Sequence, residues 1–229
     1  MKLGNLPQEI TTELAEEIGW HIGDGSMNFY KNKGKPRGFY QLRGHIEDDK
    51  PHYLERIKPI FRNLYGINIS LREMPSTRVF GFQIWNDELV TFKKNLGLPL
   101  GIKVDVTIPE ALLLDKKLIK SVIRGIFDTD GCIYLQKKYG KLYPRLEIQT
   151  ISPKLADQLL RLFNQIGLRA TKNSWQSNQG NRKIIYNISI RGIEMLHRFM
   201  KEIDPKNPKH IRKYLKFIDS QKLINSSNL

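Results

Sequence analysis

An internal repeat is the feature that most constrains how this chain can fold. Residues 19–25, GWHIGDG, resemble residues 125–131, GIFDTDG, which lie 106 positions further along the chain. The segments FQIWNDEL (82–89) and ISIRGIEM (188–195) match at the same offset. Self-similarity at a fixed separation indicates repeated architecture. The chain therefore consists of two copies of one unit.

Both copies predict the same order of elements. Apolar residues that recur about every 3.6 positions indicate helices, and apolar residues that alternate with polar ones indicate strands. By these patterns each copy consists of a helix, a strand, a basic loop, a second strand, an amphipathic helix, two more strands and a short helix. The first helices are predicted at 11–24 and 116–130, and the amphipathic helices end at Gly66 and Gly167. This order, α-β-β-α-β-β-α written twice, predicts an α+β fold.

Breaker residues between the copies mark a linker. Pro99 and Pro109 interrupt any regular element there. A basic helix is expected after the second copy. We therefore expect a first repeat at 1–98, a linker at 99–115, and a second repeat at 116–229 that includes the C-terminal helix.

Small residues recur at every fourth position in the first helix of each copy. They are Ala15, Gly19 and Gly23 in one helix and Ser121, Gly125 and Thr129 in the other. A helix face without bulky side chains lets another backbone approach closely. We therefore expect the two helices to pack together, which gives the chain pseudo-two-fold symmetry and brings Asp24 next to Asp130.

Asp24 and Asp130 are the candidate catalytic and metal-binding residues. Two adjacent carboxylates at helix C-termini repel each other, and a divalent cation removes that cost. Magnesium commonly binds one or two protein carboxylates and completes its shell with water and phosphate oxygens. The pair therefore predicts metal-assisted hydrolysis of a phosphodiester. Asp128 is not counted as a ligand, because its counterpart in the first copy is Ile22 and because it could form a helical salt bridge with Arg124, four residues earlier.

The charge of the chain restricts its partners. The formal net charge is +15 and the pI is about 9.8, which indicates a polyanionic partner such as nucleic acid or an acidic membrane surface. No apolar run reaches the roughly 18 residues of a membrane span, and the N-terminus has no signal-peptide core. We therefore expect no membrane partner and an intracellular protein, cytoplasmic in a prokaryote or organellar. The single Cys132 excludes an internal disulfide.

The segments EEIGWHIGDG and VIRGIFDTDG resemble the two signature helices of the LAGLIDADG homing endonucleases in their single-chain form. The resemblance covers about residues 11–203. It implies two αββαββα units whose four-stranded antiparallel sheets form a saddle over double-stranded DNA. It also implies a monomer that holds two or three Mg²⁺ or Mn²⁺ ions between Asp24 and Asp130, assisted by the backbone carbonyls of Gly23 and Thr129. Cleavage of both strands of a long target across the minor groove follows by analogy.

The sequence departs from the family pattern at one place. Active members often have a lysine at the end of the second strand of each unit, where it orders the water network. Here those positions are Ile46–Glu47 and Thr150–Ile151, so His45, Arg43 or a loop lysine would have to substitute. A second interpretation is a binding protein on the same scaffold, either an RNA maturase that binds intron RNA or a DNA-binding regulator. The two acids favour an intron-encoded endonuclease, whereas the absent lysines favour the binding protein.

Alternation along the strands separates an apolar face, which packs on helices, from a polar face. Arginine, glutamine and asparagine can make bidentate contacts with base edges, and basic loops can contact phosphates. An ordinary solvated sheet face would also be polar. The residues predicted to bind DNA in the first copy are Asn28, Tyr30, Arg37, Gln41, Arg43, His45, Ser70, Arg72, Arg78 and Gln83. In the second copy they are Tyr134, Gln136, Lys138, Arg145, Glu147, Gln149, Arg169, Thr171, Asn173, Arg182, Asn187, Ser189 and Arg191.

Overall fold

The structure, a computed structural model, describes residues 4, 6–32, 34–138, 141–176 and 183–226. It confirms the predicted α+β fold of two αββαββα units. Within the described ranges, no helix is both long enough and apolar enough to cross a membrane.

The first unit follows the predicted order of elements. Its first helix begins after Thr11, whose side chain caps the helix by accepting a hydrogen bond from the backbone N–H of Leu14. The helix after the second strand contains a π-helical turn between two α-helical segments. The elements are α1 (Thr12–Gly23), β1 (Gly25–Asn32), β2 (Lys35–His45), α2 (Lys50–His52, the π-helical turn Tyr53–Ile57, and Lys58–Tyr65), β3 (Arg72–Met74), β4 (Val79–Trp85) and α3 (Asp87–Asn95).

The second unit repeats this order and adds one helix. Its first helix is capped by the side chain of Asp115, and the helix after its second strand is capped by Ser152, which accepts from the backbone N–H of Leu155. The elements are α4 (Lys116–Asp130), β5 (Gly131–Lys138), β6 (Lys141–Thr150), α5 (Pro153–Gln165), β7 (Ala170–Trp175), β8 (Ile185–Arg191), α6 (Ile193–Glu202) and the additional α7 (Pro208–Ser226).

Each unit contains one antiparallel sheet, with strand order β1-β2-β4-β3 in the first unit and β5-β6-β8-β7 in the second. Directly opposed residues share a face of the sheet. Leu42 is opposed to Phe82, and both are buried beneath the helices. Gln41 is opposed to Gln83 on the other face. Each sheet therefore has an apolar inner face and a polar outer face.

The two units meet along α1 and α4, through the predicted small-residue faces. A β-carbon built on Gly19 would lie 2.3 Å from the carbonyl oxygen of Val122 and 2.8 Å from Cα of Gly125. A β-carbon built on Gly125 would lie 2.1 Å from the carbonyl oxygen of Glu16. The two helix backbones are therefore in direct contact, which only glycine permits at these positions.

After each unit the chain crosses to the opposite unit. Residues 101–108, the first crossing segment, reach the second unit, where Ser152 Oγ donates to the carbonyl of Val106 at 2.7 Å. Residues 204–210, the second crossing segment, reach the first unit, where Asn207 Nδ2 donates to Asp49 Oδ1 at 2.7 Å. These segments pass the ends of α1 and α4 and add side chains there.

Candidate metal and nucleic-acid site

Asp24 and Asp130 lie together at the ends of α1 and α4. Asp24 directly follows α1, and Asp130 is the last residue of α4. The helices run in the same direction and their ends coincide, because a β-carbon built on Gly23 would lie 3.4 Å from Cγ of Asp130. Two acids that are distant in the sequence therefore become neighbours through the contact between the small-residue faces.

The surrounding protein perturbs both carboxyl groups. Loss of hydrating water raises the pKa of Asp24 to about 8, and the negative charges of Asp130 and Asp49 add to the shift. The same loss of water raises the pKa of Asp130 to about 6, although its side chain is open to solvent on one side and two lysines oppose the shift. Neither carboxylate accepts a hydrogen bond from a described residue. A mutually repulsive pair without donors suits a divalent cation.

The side chains at the ends of α1 and α4 fit a metal ion that binds few protein ligands. Within the described part of the chain, no group of three or more histidine, cysteine, aspartate or glutamate side chains could hold a metal ion. An ion would bind Asp24 and Asp130 and take its other ligands from water or phosphate, as Mg²⁺ commonly does. A cleft of about 460 Å³ beside Asp130, lined also by Gln149 and Thr150, leaves room for them.

Two lysines from the crossing segments complete the site. Lys103 Nζ donates to the carbonyls of Ile22, at 2.8 Å, and of Gly23 at the end of α1. Lys209 Nζ donates to the carbonyl of Thr129 at 3.2 Å and lies 2.9 Å from Asp49 Oδ1. Their ammonium charges oppose the raised pKa values of both acids.

The sequence analysis did not identify these lysines by number, although it allowed that a loop lysine could substitute. Lys103 and Lys209 are 106 positions apart, the same offset that relates the two acids. Searching the linker and the C-terminal segment at that offset would have found them. The other proposed substitutes have local partners instead: Arg43 donates to Gln83 at 3.0 Å, and His45 Nδ1 lies 3.5 Å from Asp48.

The two backbone carbonyls predicted to bind metal each accept a hydrogen bond from one of these lysines. The carbonyl of Gly23 accepts from Lys103, and the carbonyl of Thr129 accepts from Lys209. Each carbonyl oxygen has a second lone pair, so one acceptor position on each remains. The participation of these carbonyls in metal binding stays a prediction.

The expected pairing of Asp128 with Arg124 is wrong. Asp128 is fully buried, and its carboxylate accepts from the backbone N–H groups of Lys206, at 3.0 Å, and Asn207, at 3.1 Å. Arg124 points elsewhere and donates to the carbonyl of Ile203 at 2.8 Å. Asp128 therefore anchors the second crossing segment, and through it positions Lys209.

The polar sheet faces carry most of the residues predicted to contact DNA. Tyr134 is opposed to Arg145, and the ring of Tyr134 lies 5.3 Å from the Arg145 guanidinium. Predicted residues on the first face are Asn28, Tyr30, Arg37, Gln41, Arg43, His45, Arg72 and Gln83. On the second face they are Tyr134, Gln136, Arg145, Glu147, Gln149, Arg169, Thr171, Asn173 and Arg191.

Two predicted DNA contacts need correction. Ser189 and Asn187 point toward the polar face, but their side chains are only 1% and 9% exposed. Ser189 Oγ lies 3.1 Å from Thr171 Oγ1, and Asn187 Nδ2 donates to Glu147 Oε1 at 2.9 Å. Longer neighbours cover both residues, so they orient Thr171 and Glu147 and do not reach a base edge themselves.

Four further predicted contacts lie away from the described strand surfaces. Ser70 precedes β3 and lines a groove beside α2. Arg78 occupies the left-handed turn before β4, and its guanidinium lies 3.9 Å from Glu47. Arg182 lies outside the described residues, and so does the side chain of Lys138.

Two aromatic residues on the first polar face were missed. Phe39 and Trp85 are opposed to each other, two positions along their strands from Gln41 and Gln83. The alternation of the strands would have found them, because residues two apart share a face. Their apolar side chains lack the donors and acceptors by which arginine, glutamine and asparagine contact base edges.

One family model and several known proteins are similar to this chain. Residues 117–204 match the family model described as a LAGLIDADG-like domain. The chain is 26% identical over 211 residues to the replication factor C small subunit of Methanocaldococcus jannaschii. It is 30% identical over 121 residues to the ATP-dependent DNA helicase Hel308 of the same organism. These alignments cover 91% and 49% of this chain, which spans 10% of the length of each of the two proteins.

Several solved structures share the fold. The structure of I-DmoI in complex with DNA and Ca has a TM-score of 0.62 and 16% identity, covering 89% of this chain and 97% of that one. The LAGLIDADG meganuclease I-AabMI, bound to uncleaved DNA, has a TM-score of 0.60 and 15% identity, covering 95% and 93%. The LAGLIDADG homing endonuclease I-GzeII, in complex with its DNA target, has a TM-score of 0.59 and 14% identity, covering 96% and 92%.

The fold is that of single-chain proteins built from two LAGLIDADG units. The family model covers most of the second unit, and the structural similarity extends over both units. The second unit is therefore similar to the LAGLIDADG-like domain, and the chain as a whole shares its fold with LAGLIDADG homing endonucleases of known structure.

Proposed function

We propose that the chain is a metal-dependent, site-specific endonuclease that hydrolyses phosphodiester bonds in a long double-stranded DNA target. The observation that carries this proposal is the convergence of Asp24 and Asp130 at the ends of α1 and α4, each helix end also bound by a lysine. A protein that only bound nucleic acid would need the polar sheet faces. It would not need two carboxylates that repel each other.

Each residue of the site has a distinct role in this proposal. Asp24 and Asp130 hold two or three Mg²⁺ or Mn²⁺ ions between them. When bound, such ions activate water and stabilise the leaving oxygen. Lys103 and Lys209 hold the helix ends in place and direct positive charge toward the phosphate that enters the cleft. Burial lowers the pKa of Lys103, which favours the exchange of a proton with nearby water.

The polar faces supply the surface for the DNA. Eight strands at a spacing of about 4.8 Å extend over roughly 38 Å, which corresponds to about 11 base pairs. The net charge of +15 favours a polyanion of that length. The two units provide both acids, so a monomer suffices. DNA complexes of the similar protein I-DmoI contain Mn or Ca, in keeping with a divalent ion at such a site.

The proposal includes a genetic setting. We infer an intron-encoded homing endonuclease that acts inside the cell, in the cytoplasm of a prokaryote or in an organelle. The neighbourhood of the gene tests this directly, because an intron-encoded enzyme lies within the intron that interrupts its target.

The test begins with a randomised library of DNA duplexes, from which the full chain selects its ligands without Mg²⁺. Addition of Mg²⁺ to the selected duplex should produce a staggered cut in both strands. Asp24→Asn and Asp130→Asn should bind this duplex and leave it intact. Glu110→Gln, which changes an exposed acid outside the site, should cleave normally. Selected DNA that is bound but stays intact with both Mg²⁺ and Mn²⁺ would refute the endonuclease and favour the regulator. Binding of intron RNA in place of DNA would favour the maturase.

A second set of variants tests the lysines. Lys103→Met and Lys209→Met should each slow cleavage of the selected duplex at saturating DNA. Lys116→Met, which removes an exposed lysine at the start of α4, is the matched control. If the lysines only secure the helix ends, both variants will melt at lower temperature and cleave at the wild-type rate, which contradicts their proposed role.

A further inference from the structure

The outer faces of the two sheets differ at their corresponding positions. Both sheets have the same strand order, and β1, β2 and β4 have the same antiparallel register as β5, β6 and β8. Residues of these strands that are 106 positions apart therefore occupy equivalent places. At three neighbouring places, an aromatic side chain in the first sheet is replaced by a long polar side chain in the second. The pairs are Tyr30 with Gln136, Phe39 with Arg145, and Trp85 with Arg191.

In the first sheet the three aromatic side chains form one exposed cluster. The ring centroids of Phe39 and Trp85 are 4.9 Å apart, and that of Tyr30 lies 5.8 Å from Phe39 and 6.3 Å from Trp85. Tyr30 is 48% exposed and Trp85 is 41% exposed. A contiguous apolar patch on a polar face indicates a contact surface. The apolar group that DNA presents in its major groove is the thymine methyl.

In the second sheet the equivalent place is polar and open. Arg145 is held between the ring of Tyr134, at 5.3 Å, and Glu147, at 2.9 Å. Arg191 is exposed, and its side chain makes no ion pair or hydrogen bond with any described residue. Both arginines line a cleft of about 520 Å³ together with Gln136. A free guanidinium fork matches the O6 and N7 acceptors of guanine.

We propose that the two units read different bases at this mirror-related position. Arg191 contacts a guanine in the half of the target beneath the second unit. The aromatic cluster of Tyr30, Phe39 and Trp85 contacts thymine methyl groups in the half beneath the first unit. This inference rests on the proposed function, because it requires DNA across both faces.

The selection from a randomised duplex library tests this directly. Wild-type protein should enrich guanine at one position and thymine at the mirror position of the other half. Arg191→Ala should lose the preference for guanine by about tenfold or more, the scale of one bidentate base contact, and keep the preference for thymine. Trp85→Ala should lose the preference for thymine and keep the preference for guanine. Arg161→Ala removes one exposed charge from α5 and should change neither preference.

A chemical substitution in the DNA tests the aromatic cluster without altering the protein. Replacing the selected thymine by uracil removes only the methyl group, and affinity should fall about fourfold, the value of one buried methyl-sized group. Trp85→Ala should not distinguish the two duplexes. The same preferred base at both mirror positions, an unchanged preference in Arg191→Ala, or equal affinity for thymine and uracil would each overturn the inference. None of those outcomes contradicts the proposed function. Failure to bind any duplex would refute both the proposed function and this inference.

Discussion

Replacing Gly19 with alanine tests whether the contact between α1 and α4 sets the geometry of the acids. The added β-carbon would lie 2.3 Å from the carbonyl oxygen of Val122 and 2.8 Å from Cα of Gly125. Ordinary van der Waals contact begins near 3.4 Å, and both obstacles are backbone atoms that cannot rotate away. The helices must therefore separate by about 1 Å at this point.

Stability and activity should respond to different extents. Overpacking of a tight contact costs about 1–3 kcal/mol, and the better helix propensity of alanine offsets up to about 1 kcal/mol of this. A displacement of about 1 Å at a catalytic centre can lower the rate by about 100-fold. Asp24 lies only five residues after Gly19 and directly follows the same helix, so it moves with the helix. The variant should therefore stay folded and lose most of its activity.

Urea unfolding and single-turnover cleavage of the selected duplex measure these two effects. Gly125→Ala should behave similarly, since its β-carbon would lie 2.1 Å from the carbonyl oxygen of Glu16. Thr12→Ala, at the exposed start of α1, is the control for adding an alanine to this helix. A Gly19→Ala protein that cleaves at the wild-type rate would refute the link between helix contact and acid geometry.

Three further predictions concern charges in the molecule. Lys93→Met should lower the free energy of unfolding by about 3–5 kcal/mol, because it leaves the fully buried Glu17 without its cation. Glu17→Ile combined with Lys93→Phe, which copies the second unit, should recover most of that loss in urea titrations. In metal-free protein, Asp24→Asn should gain melting temperature relative to the wild type as pH rises from about 4 to 8, because the raised pKa lets folded Asp24 keep a proton that the unfolded chain releases. Comparison with the variant cancels the opposite contribution of the buried histidines His21, His52 and His210, whose pKa values are lowered. A wild-type protein that instead gains melting temperature on the variant over this range would contradict the assignment. DNA affinity should fall on the order of a thousandfold between 50 and 200 mM salt if six or more phosphates are contacted. A flat response in fluorescence anisotropy would argue against binding through phosphates.

The parts of the fold that depend on local patterns were predictable from the sequence. Spacing of small residues identified the faces of α1 and α4 that touch, and therefore the meeting of Asp24 with Asp130. Alternation along β2 and β4 separated Leu42 and Phe82, which are buried, from Gln41 and Gln83, which face outward. These properties depend on helix and strand geometry alone. They do not require knowledge of where the loops run.

The errors arose where tertiary contacts override a local rule. The helical spacing of Arg124 and Asp128 predicted a pair, but the backbone N–H groups of the second crossing segment bind the buried carboxylate instead. Alternation placed Ser189 on the outer face correctly, but it does not report how deeply neighbouring side chains cover a short residue. The lysines were missed for the same reason, because no local pattern shows that Lys103 crosses back to the end of α1.

The two units resemble each other at the pseudo-two-fold axis, where α1 contacts α4, and differ in their hydrophobic cores. The packing of the two regions explains this difference. In the first unit, Glu17 and Lys93 are fully buried, 2.6 Å apart, and Tyr65 donates to the same carboxylate at 2.9 Å. The residues 106 positions later, Ile123 and Phe199, fill the equivalent space with apolar atoms. Either arrangement can fill the core of a single unit, because a buried ion pair and a hydrophobic cluster of similar volume can be comparably stable. Residues at the axis contact both units at once and have no such freedom. Comparing residues 106 positions apart therefore detects the glycines, acids and lysines at the axis. The same comparison does not detect the cores that surround them.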